Sequence, residues 1–265
     1  MQQLADELRA EGEELFGLLR TLDEGDWTRP TPFKGWTVNE VIGHLHGGDW
    51  AVILSMSDPA AYAIFKQARQ EARDRGDEEG RNRLGPELES GSRLMAQWYE
   101  YFQEMCRQVS VADPKARIQW SGPDMSIRTA ATARQMETWA HGQDIFDLMK
   151  QPRVPTDRLK NIAVLGVKTF GWTFRNRGEP VPDDMPHVTL TAPSGAVWDF
   201  PGAEGTDNRV EGSAVDFCHV VTQGRNIADT ALKVTGETAK RWMAIAQCYA
   251  GPPHTPPAPG ERAWQ

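Results

Sequence analysis

The stretch Met136-Glu137-Thr138-Trp139-Ala140-His141-Gly142-Gln143-Asp144 decides how the first part of this chain is interpreted. Glu137 and His141 are four residues apart. On an α-helix of 3.6 residues per turn, both side chains therefore project from the same face. A carboxylate and an imidazole placed in this way can bind one divalent ion, but a stable site needs at least a third ligand. Because Glu-x-x-x-His pairs also arise by chance, the spacing predicts a helix and leaves metal binding open.

A second helix is predicted to begin at about Val38 and to run to about Ser55. Thr37-Val38-Asn39-Glu40 is a capping box, in which the threonine oxygen accepts a hydrogen bond from the first turn and Glu40 reaches back. His44 lies at the margin of the apolar stripe of this helix, and His46 projects about 200° away from it around the axis. The two histidines therefore cannot serve one site. The pattern alone does not say which of them, if either, completes a site with Glu137.

Hydrophobic periodicity predicts a helical bundle in the first 178 residues. Amphipathic helices are predicted over residues 3–21, 38–55, 86–110, 127–150 and 156–177. The polar segment 58–85 predicts a solvated helix followed by a loop at residues 76–80. A four- or five-helix bundle follows, and facing helices in a bundle core are a recurrent place for metal sites.

The residue pattern of the sequence changes after Gly178, from helical periodicity to alternating segments. Two alternating segments at residues 187–192 and 196–200 flank Pro193-Ser194-Gly195 and predict a β-hairpin. Further helices are predicted over residues 213–222 and 237–249. The fold class is therefore α+β, with a helical domain over residues 1–178, a small α+β domain over residues 179–250, and a loose proline-rich tail over residues 251–265.

Composition narrows the classes of partner. The formal net charge is −8, and lysines and arginines do not occur in long runs, which argues against nucleic acid and against an anionic membrane surface. No apolar run approaches the length of a membrane helix, and the first residues do not resemble a signal peptide, so we expect a cytoplasmic protein. Three widely spaced cysteines predict no disulfide framework. We expect small-molecule chemistry in a monomer or a homodimer.

The segment from Gly35 to Leu45, preceded by Asp26-Trp27, resembles the first signature of the DinB-like superfamily. More specifically, it is similar to the mycothiol-dependent maleylpyruvate isomerase family of that superfamily. The segment from Ala133 to Asp144 matches the second signature of this family. The resemblance implies a DinB-like up-down helical bundle at the N-terminus.

The resemblance also implies the ligands of a metal. In that family, the histidine of the first signature and the glutamate and histidine of the second bind a divalent ion, which points to His44, Glu137 and His141 here. Zinc is the ion that the resemblance favours, and Ni²⁺ or Fe²⁺ would also suit two histidines and one carboxylate. Asp144 is interpreted either as a partner that orients a ligand or as an exposed helix residue.

The resemblance implies thiol chemistry as well. Residues 212–225 and 229–236 are similar to the second domain of the family. The family has a functional arginine in this domain, and the resemblance implies that it is Arg225 here. The alternative interpretation is that Arg225 is a turn residue that caps the preceding helix. The expected enzyme activates a low-molecular-weight thiol such as mycothiol, either for transfer to an electrophile or for isomerisation of a maleyl compound. Two alternatives stay open: a non-catalytic metal-binding protein that holds a small ligand or a partner, and a metal-dependent hydrolase that needs no thiol.

Overall fold

The structure is a computed structural model, and it describes residues 1–77, 80 and 84–262. The chain forms two compact units, Met1–Met149 and Lys150–Gln265. This division differs from the predicted one, which placed the first boundary after residue 178. The helical residues that follow Lys150 pack with helices of the second unit, and a hydrophobic pattern does not reveal which core an amphipathic helix joins.

In its described residues, the first unit contains five long α-helices and one short hairpin. The helices are α1 (Gln2–Leu19), α2 (Val38–Ser57), α3 (Pro59–Asp74), α4 (Gly91–Val111) and α5 (Ile127–Met149). Helices α1, α2, α4 and α5 pack on one another around a single apolar core, and α3 packs against α2. The strands β1 (Arg117–Ile118) and β2 (Met125–Ser126) pair antiparallel before α5. The predicted helical bundle is thus confirmed, and α4 begins somewhat later than predicted.

Local hydrogen bonds explain where the two site-bearing helices begin. The amide of Glu40 donates to Thr37 Oγ1 at 3.2 Å, and Glu40 Oε2 accepts from the amide of Thr37 at 2.7 Å, so the predicted capping box is confirmed. Before α5, Ser126 Oγ accepts from the amide of Thr129 at 3.2 Å. Both contacts satisfy amides that have no partner inside the helix.

The charged segment after α2 is helical at first, as predicted. Asp58 Oδ1 accepts from the amide of Ala61 at 2.9 Å and caps α3, which has Pro59 in its first turn. The predicted loop at residues 76–80 lies partly outside the described residues.

In its described residues, the second unit combines four α-helices with a four-stranded sheet. Its helices are α6 (Lys160–Lys168), α7 (Phe170–Arg175), α8 (Ala214–Val221) and α9 (Glu237–Ile245). Its strands are β3 (His187–Thr191), β4 (Val197–Phe200), β5 (Arg209–Ser213) and β6 (Lys233–Thr235), in the order β4-β3-β5-β6. The predicted hairpin is β3 and β4. The sequence analysis did not predict β5, which pairs parallel to β3.

The helix predicted over residues 156–177 is interrupted. A 3₁₀ turn at Asp157–Leu159 leads into α6, and the helix breaks at Thr169 before α7 begins. Thr169 Oγ1 donates to the carbonyls of Leu165 and Gly166 at 2.8 and 3.0 Å. A threonine hydroxyl that bonds back to the preceding turn competes with the helical backbone and favours such a bend.

The proline-rich tail is not loose in the described residues up to Arg262. Gln247 Oε1 accepts from the amide of His254 at 3.0 Å, and Asn226 Nδ2 donates to the carbonyl of Pro257 at 2.8 Å. Asp229 Oδ1 accepts from the amide of Gly260 at 2.9 Å. The prediction was wrong because the lack of periodicity excludes regular structure, but it does not exclude satisfaction of the backbone by distant polar side chains.

None of the helices in the described residues combines the length and the hydropathy needed to cross a membrane. Cys106, Cys218 and Cys248 are all buried.

Candidate metal centre

Helices α2 and α5 bring the three predicted ligands together. His44 Nε2 lies 3.1 Å from Glu137 Oε2, and His141 Nε2 lies 3.5 Å from the same oxygen. One ligand atom from each of the three side chains lies within 4.8 Å of the others. His46, on another face of α2, is fully buried with its ring edge-on to that of Tyr101 at a centroid distance of 4.8 Å. The three residues thus form a possible metal-binding site from which His46 is excluded.

The protonation states of two of these side chains suit a divalent ion. Burial alone would raise the pKa of Glu137, but hydrogen bonds to His141 and His44 hold it well below its usual value. Desolvation lowers the pKa of His44. At neutral pH, these directions favour an anionic carboxylate and a neutral imidazole, which are the forms that ligate metals. The donor set therefore fits a divalent cation.

Asp144 orients His141. Its Oδ2 atom lies 3.1 Å from His141 Nδ1, and its side chain is buried, so the interpretation of Asp144 as an exposed residue is wrong. A carboxylate at Nδ1 holds a proton on that nitrogen, so that an ion could replace the proton on Nε2 and bind its lone pair.

Two aromatic rings line the site. The Phe33 ring is edge-on to the His141 imidazole at a centroid distance of 4.8 Å, and the Trp36 ring is nearly parallel to that imidazole at 6.1 Å. The centroid of the Trp36 ring also lies 5.5 Å from the centroid of the His44 ring. The sequence analysis did not select Phe33, because no helical or strand pattern includes it.

A tight turn holds these two aromatic residues. The amide of Thr31 donates to the carbonyl of Trp36 at 2.7 Å, and the amide of Trp36 donates to the carbonyl of Phe33 at 2.9 Å. Lys34 and Gly35 adopt φ values of 53° and 70°, in the left-handed region. A lysine in that region carries backbone strain, which often occurs at functional sites.

The site is open on the side of His44. The exposed fractions of the side chains are 38% for His44, 21% for Glu137 and 10% for His141. Two imidazoles and a carboxylate grouped on one side of an ion leave other coordination positions for water or a substrate. This arrangement is typical of a catalytic site rather than of a closed structural one.

Arg225 belongs to the second unit. It is fully buried after the turn that ends α8, and its Nη1 atom donates to the carbonyl of Gly224 at 2.9 Å. Burial, and then the charges of Arg225 and Arg153, hold the pKa of His219 well below its usual value. These contacts suit the interpretation of Arg225 as a turn residue, and the functional role that the resemblance implies stays a prediction.

Comparisons with known proteins identify relatives for both units. The model of the mycothiol maleylpyruvate isomerase N-terminal domain matches residues 8–146, a range that includes all three candidate ligands. Two uncharacterized proteins of Mycobacterium tuberculosis, from strains CDC 1551 and H37Rv, are each 36% identical over 247 residues, covering 93% of this chain and 95% of their own.

Solved structures with a similar fold are also known. They are crystal structures of a mycothiol-dependent maleylpyruvate isomerase and of one of its mutants. Each is 18% identical to this chain, with a TM-score of 0.52, and the match covers 89% of this chain and 92% of the solved one. At this level of identity, the likeness concerns the fold alone.

Proposed function

Because this chain belongs to the mycothiol maleylpyruvate isomerase family, we propose that it is a metal-dependent enzyme that activates a low-molecular-weight thiol. The thiol is mycothiol or a similar compound, and its reaction partner is a small electrophile of the maleyl type. One observation carries the proposal: His44 and Glu137, which are 93 residues apart in the chain, meet at 3.1 Å with His141 beside them. The proposed location is the cytoplasm, where thiols are kept reduced.

Each side chain has a defined part in holding the ion. His44 and His141 supply nitrogen donors, Glu137 supplies an anionic oxygen, and Asp144 keeps His141 in the ligating tautomer. Zinc is the proposed ion, since two histidines and one carboxylate with an open position form a known catalytic zinc set. A bound divalent ion would favour the thiolate form of a thiol at neutral pH.

The residues around the open position would then orient the two reactants. The Phe33 and Trp36 rings form an apolar wall beside His141, which shields that side of the site from water. The exposed edge of His44 marks the side from which the thiol and the electrophile enter.

The proposed isomerisation is balanced without an oxidant or a reductant. The thiol loses its proton to solvent, and the sulfur bonds to one carbon of the double bond while the π electron pair moves toward the conjugated carbonyl. The former double bond is now a carbon–carbon single bond, and the molecule rotates about it. The electron pair then returns to re-form the double bond, the carbon–sulfur bond breaks, and the thiolate leaves. In a thiol transfer, the carbon–sulfur bond is retained and the adjacent carbon takes up a proton.

The test is a comparison of turnover with and without thiol. Purified protein loaded with Zn²⁺ is mixed with mycothiol and maleylpyruvate, and the absorbance of the substrate is followed. We expect loss of absorbance that requires both the metal and the thiol and that disappears in His141→Ala. Metal-dependent turnover of an ester or amide without thiol would instead support a hydrolase. Metal binding without turnover of any thiol acceptor would support a non-catalytic protein.

A further inference from the structure

A buried ion pair joins the same two helices that carry the candidate ligands. Arg134 of α5 donates from Nε to Asp49 Oδ1 of α2 at 2.8 Å, and both side chains are almost completely buried. The second carboxylate oxygen of Asp49 accepts from Trp98 Nε1 of α4 at 3.0 Å. Both oxygens of this carboxylate are thus occupied, and three helices meet at one point.

The pair lies directly beside the site. Arg134 Nη2 donates to the main-chain carbonyl of Leu45 at 3.1 Å, and Leu45 is the neighbour of His44. Along α5, Arg134 precedes His141 by seven residues, or about two turns, so the two side chains project from nearly the same face. The Arg134 guanidinium therefore binds the backbone of α2 next to His44, and Arg134 itself lies on the face of α5 that carries His141.

Stability alone gives a weak reason for such a pair. Removing two opposite charges from water costs free energy that their attraction only partly restores, so well-packed apolar residues of similar volume are often at least as stabilising. Hydrogen bonds of an ion pair have a preferred length and direction, so they restrict the relative position of two helices more closely than apolar contacts do. Between α2 and α5, that position sets the separation of His44 and Glu137.

Gly48 makes room for this contact. A β-carbon at Gly48 would lie 2.5 Å from Arg134 Nη1 and 2.6 Å from its Cζ atom. At the adjacent Gly47, a β-carbon would have no neighbour within 4 Å among the described residues. The two glycines therefore provide a matched pair, because alanine at one displaces the guanidinium and alanine at the other does not.

We propose that the Asp49–Arg134 pair is a positioning device that fixes the register of α2 against α5 and thereby holds His44 at the distance required for three-point metal ligation. Arg134 and Asp49 act through the ligands and are not themselves ligands. This inference rests on the proposed function, since it assumes that the three side chains bind an ion.

The test measures metal affinity and geometry in folded variants. Co²⁺ is titrated into the full-length apo protein, and its visible absorption spectrum reports the number and geometry of ligands. We expect Arg134→Lys and Gly48→Ala to remain folded by circular dichroism, to bind Co²⁺ about 10- to 100-fold more weakly, and to alter the spectrum. Gly47→Ala should match the wild-type protein in both affinity and spectrum.

The outcomes separate this inference from the proposed function. If the wild-type protein binds no metal, the proposed function fails and this inference fails with it. If the wild-type protein binds Co²⁺ and folded Arg134→Lys and Gly48→Ala bind it with unchanged affinity and spectrum, only the positioning role is overturned. A second variant, Asp49→Asn, covers the case in which Arg134→Lys does not fold, and the same two readings apply to it.

Discussion

His141 Nδ1 lies 3.1 Å from Asp144 Oδ2, one turn further along the same helix. The contact leaves Nε2 of the same imidazole 3.5 Å from the carboxylate of Glu137. A single helix therefore supplies two candidate ligands and the group that orients one of them. This local arrangement follows from the 3.6-residue repeat, in which positions three and four apart are neighbours.

Substitution of Asp144 tests this orientation. Asp144→Ala is expected to weaken Zn²⁺ binding about 10- to 100-fold, because His141 loses the acceptor that fixes its tautomer. Asp144→Asn retains an acceptor without the charge and should lose less. Competition with a chromophoric chelator measures both affinities. The control is Asp147→Asn, whose carboxylate accepts from Gln143 on the same helix; an equal loss in the control would contradict the role given to Asp144.

The aromatic turn before α2 should influence the reactants more than the metal. Phe33→Ala removes the ring that lies edge-on to His141 and is expected to raise the KM for thiol or electrophile about tenfold, or about 1.4 kcal/mol. Zn²⁺ affinity should stay within about twofold, because the three donor groups are unchanged. Steady-state kinetics together with a metal titration distinguish the two effects, and Phe33→Leu should recover most of the loss. A change in metal affinity without a change in KM would contradict this role.

The packing of α1 against α4 has an internal control. A β-carbon at Gly12 would lie 2.2 Å from the Phe102 ring, whereas one at Gly17 would have no neighbour within 4 Å in the part of the chain that the structure describes. Gly12→Ala is therefore expected to lower the free energy of unfolding by about 1–3 kcal/mol. Gly17→Ala should raise it by about 0.5–1 kcal/mol through helix propensity. Urea unfolding measures both, and equal midpoints would refute this account of the interface.

His46 predicts a component of acid sensitivity. Burial lowers the pKa of His46 to about 4, and among the described residues neither ring nitrogen has a hydrogen-bond partner. The unfolded chain, with a histidine pKa near 6.5, binds the proton more readily, so stability is complete above that pH and falls as the pH drops toward 4. The loss attributed to this residue is at most about 3 kcal/mol.

The measurement for His46 is the free energy of unfolding at several pH values between about 7.5 and about 4, which is from about one unit above the unfolded pKa down to the folded pKa. His46→Leu should show a shallower fall than the wild-type protein over this range. Parallel curves for the two proteins would show that His46 does not titrate differently on folding.

The sequence predicted the helices well where local signals were present. The capping box at Thr37 and Glu40 and the periodic apolar residues act within one or two turns, so they could be recognised without tertiary information. Strand β5 carries no comparable signal, because Gly212 lies within it and Val210 is its one fully buried side chain. Its place in the sheet depends on pairing with β3, which is distant in sequence.

The candidate site was predictable only in part for the same reason. The Glu137–His141 spacing indicates a shared helical face, but the choice of His44 over His46 came from the family resemblance and not from the helix pattern. Phe33 and Asp49 lie beside the site through long-range packing between segments that show no joint pattern in the sequence. Tertiary contacts of this kind require the fold.

Metal content with and without the candidate ligands tests the central claim most directly. The wild-type protein and the His44→Ala, Glu137→Ala and His141→Ala variants are purified without added chelator, dialysed against equimolar Zn²⁺ and analysed for bound metal. His187→Ala is the control, because His187 forms an imidazole–carboxylate contact of 2.6 Å with Asp199 in the second unit and is not one of the three candidate ligands. We expect close to one ion per chain in the wild-type protein and in the control. Each ligand variant should hold much less metal, because loss of one ligand lowers the affinity at least about 100-fold. The claim would be contradicted if the wild-type protein held no metal, or if all three ligand variants held as much metal as the wild-type protein.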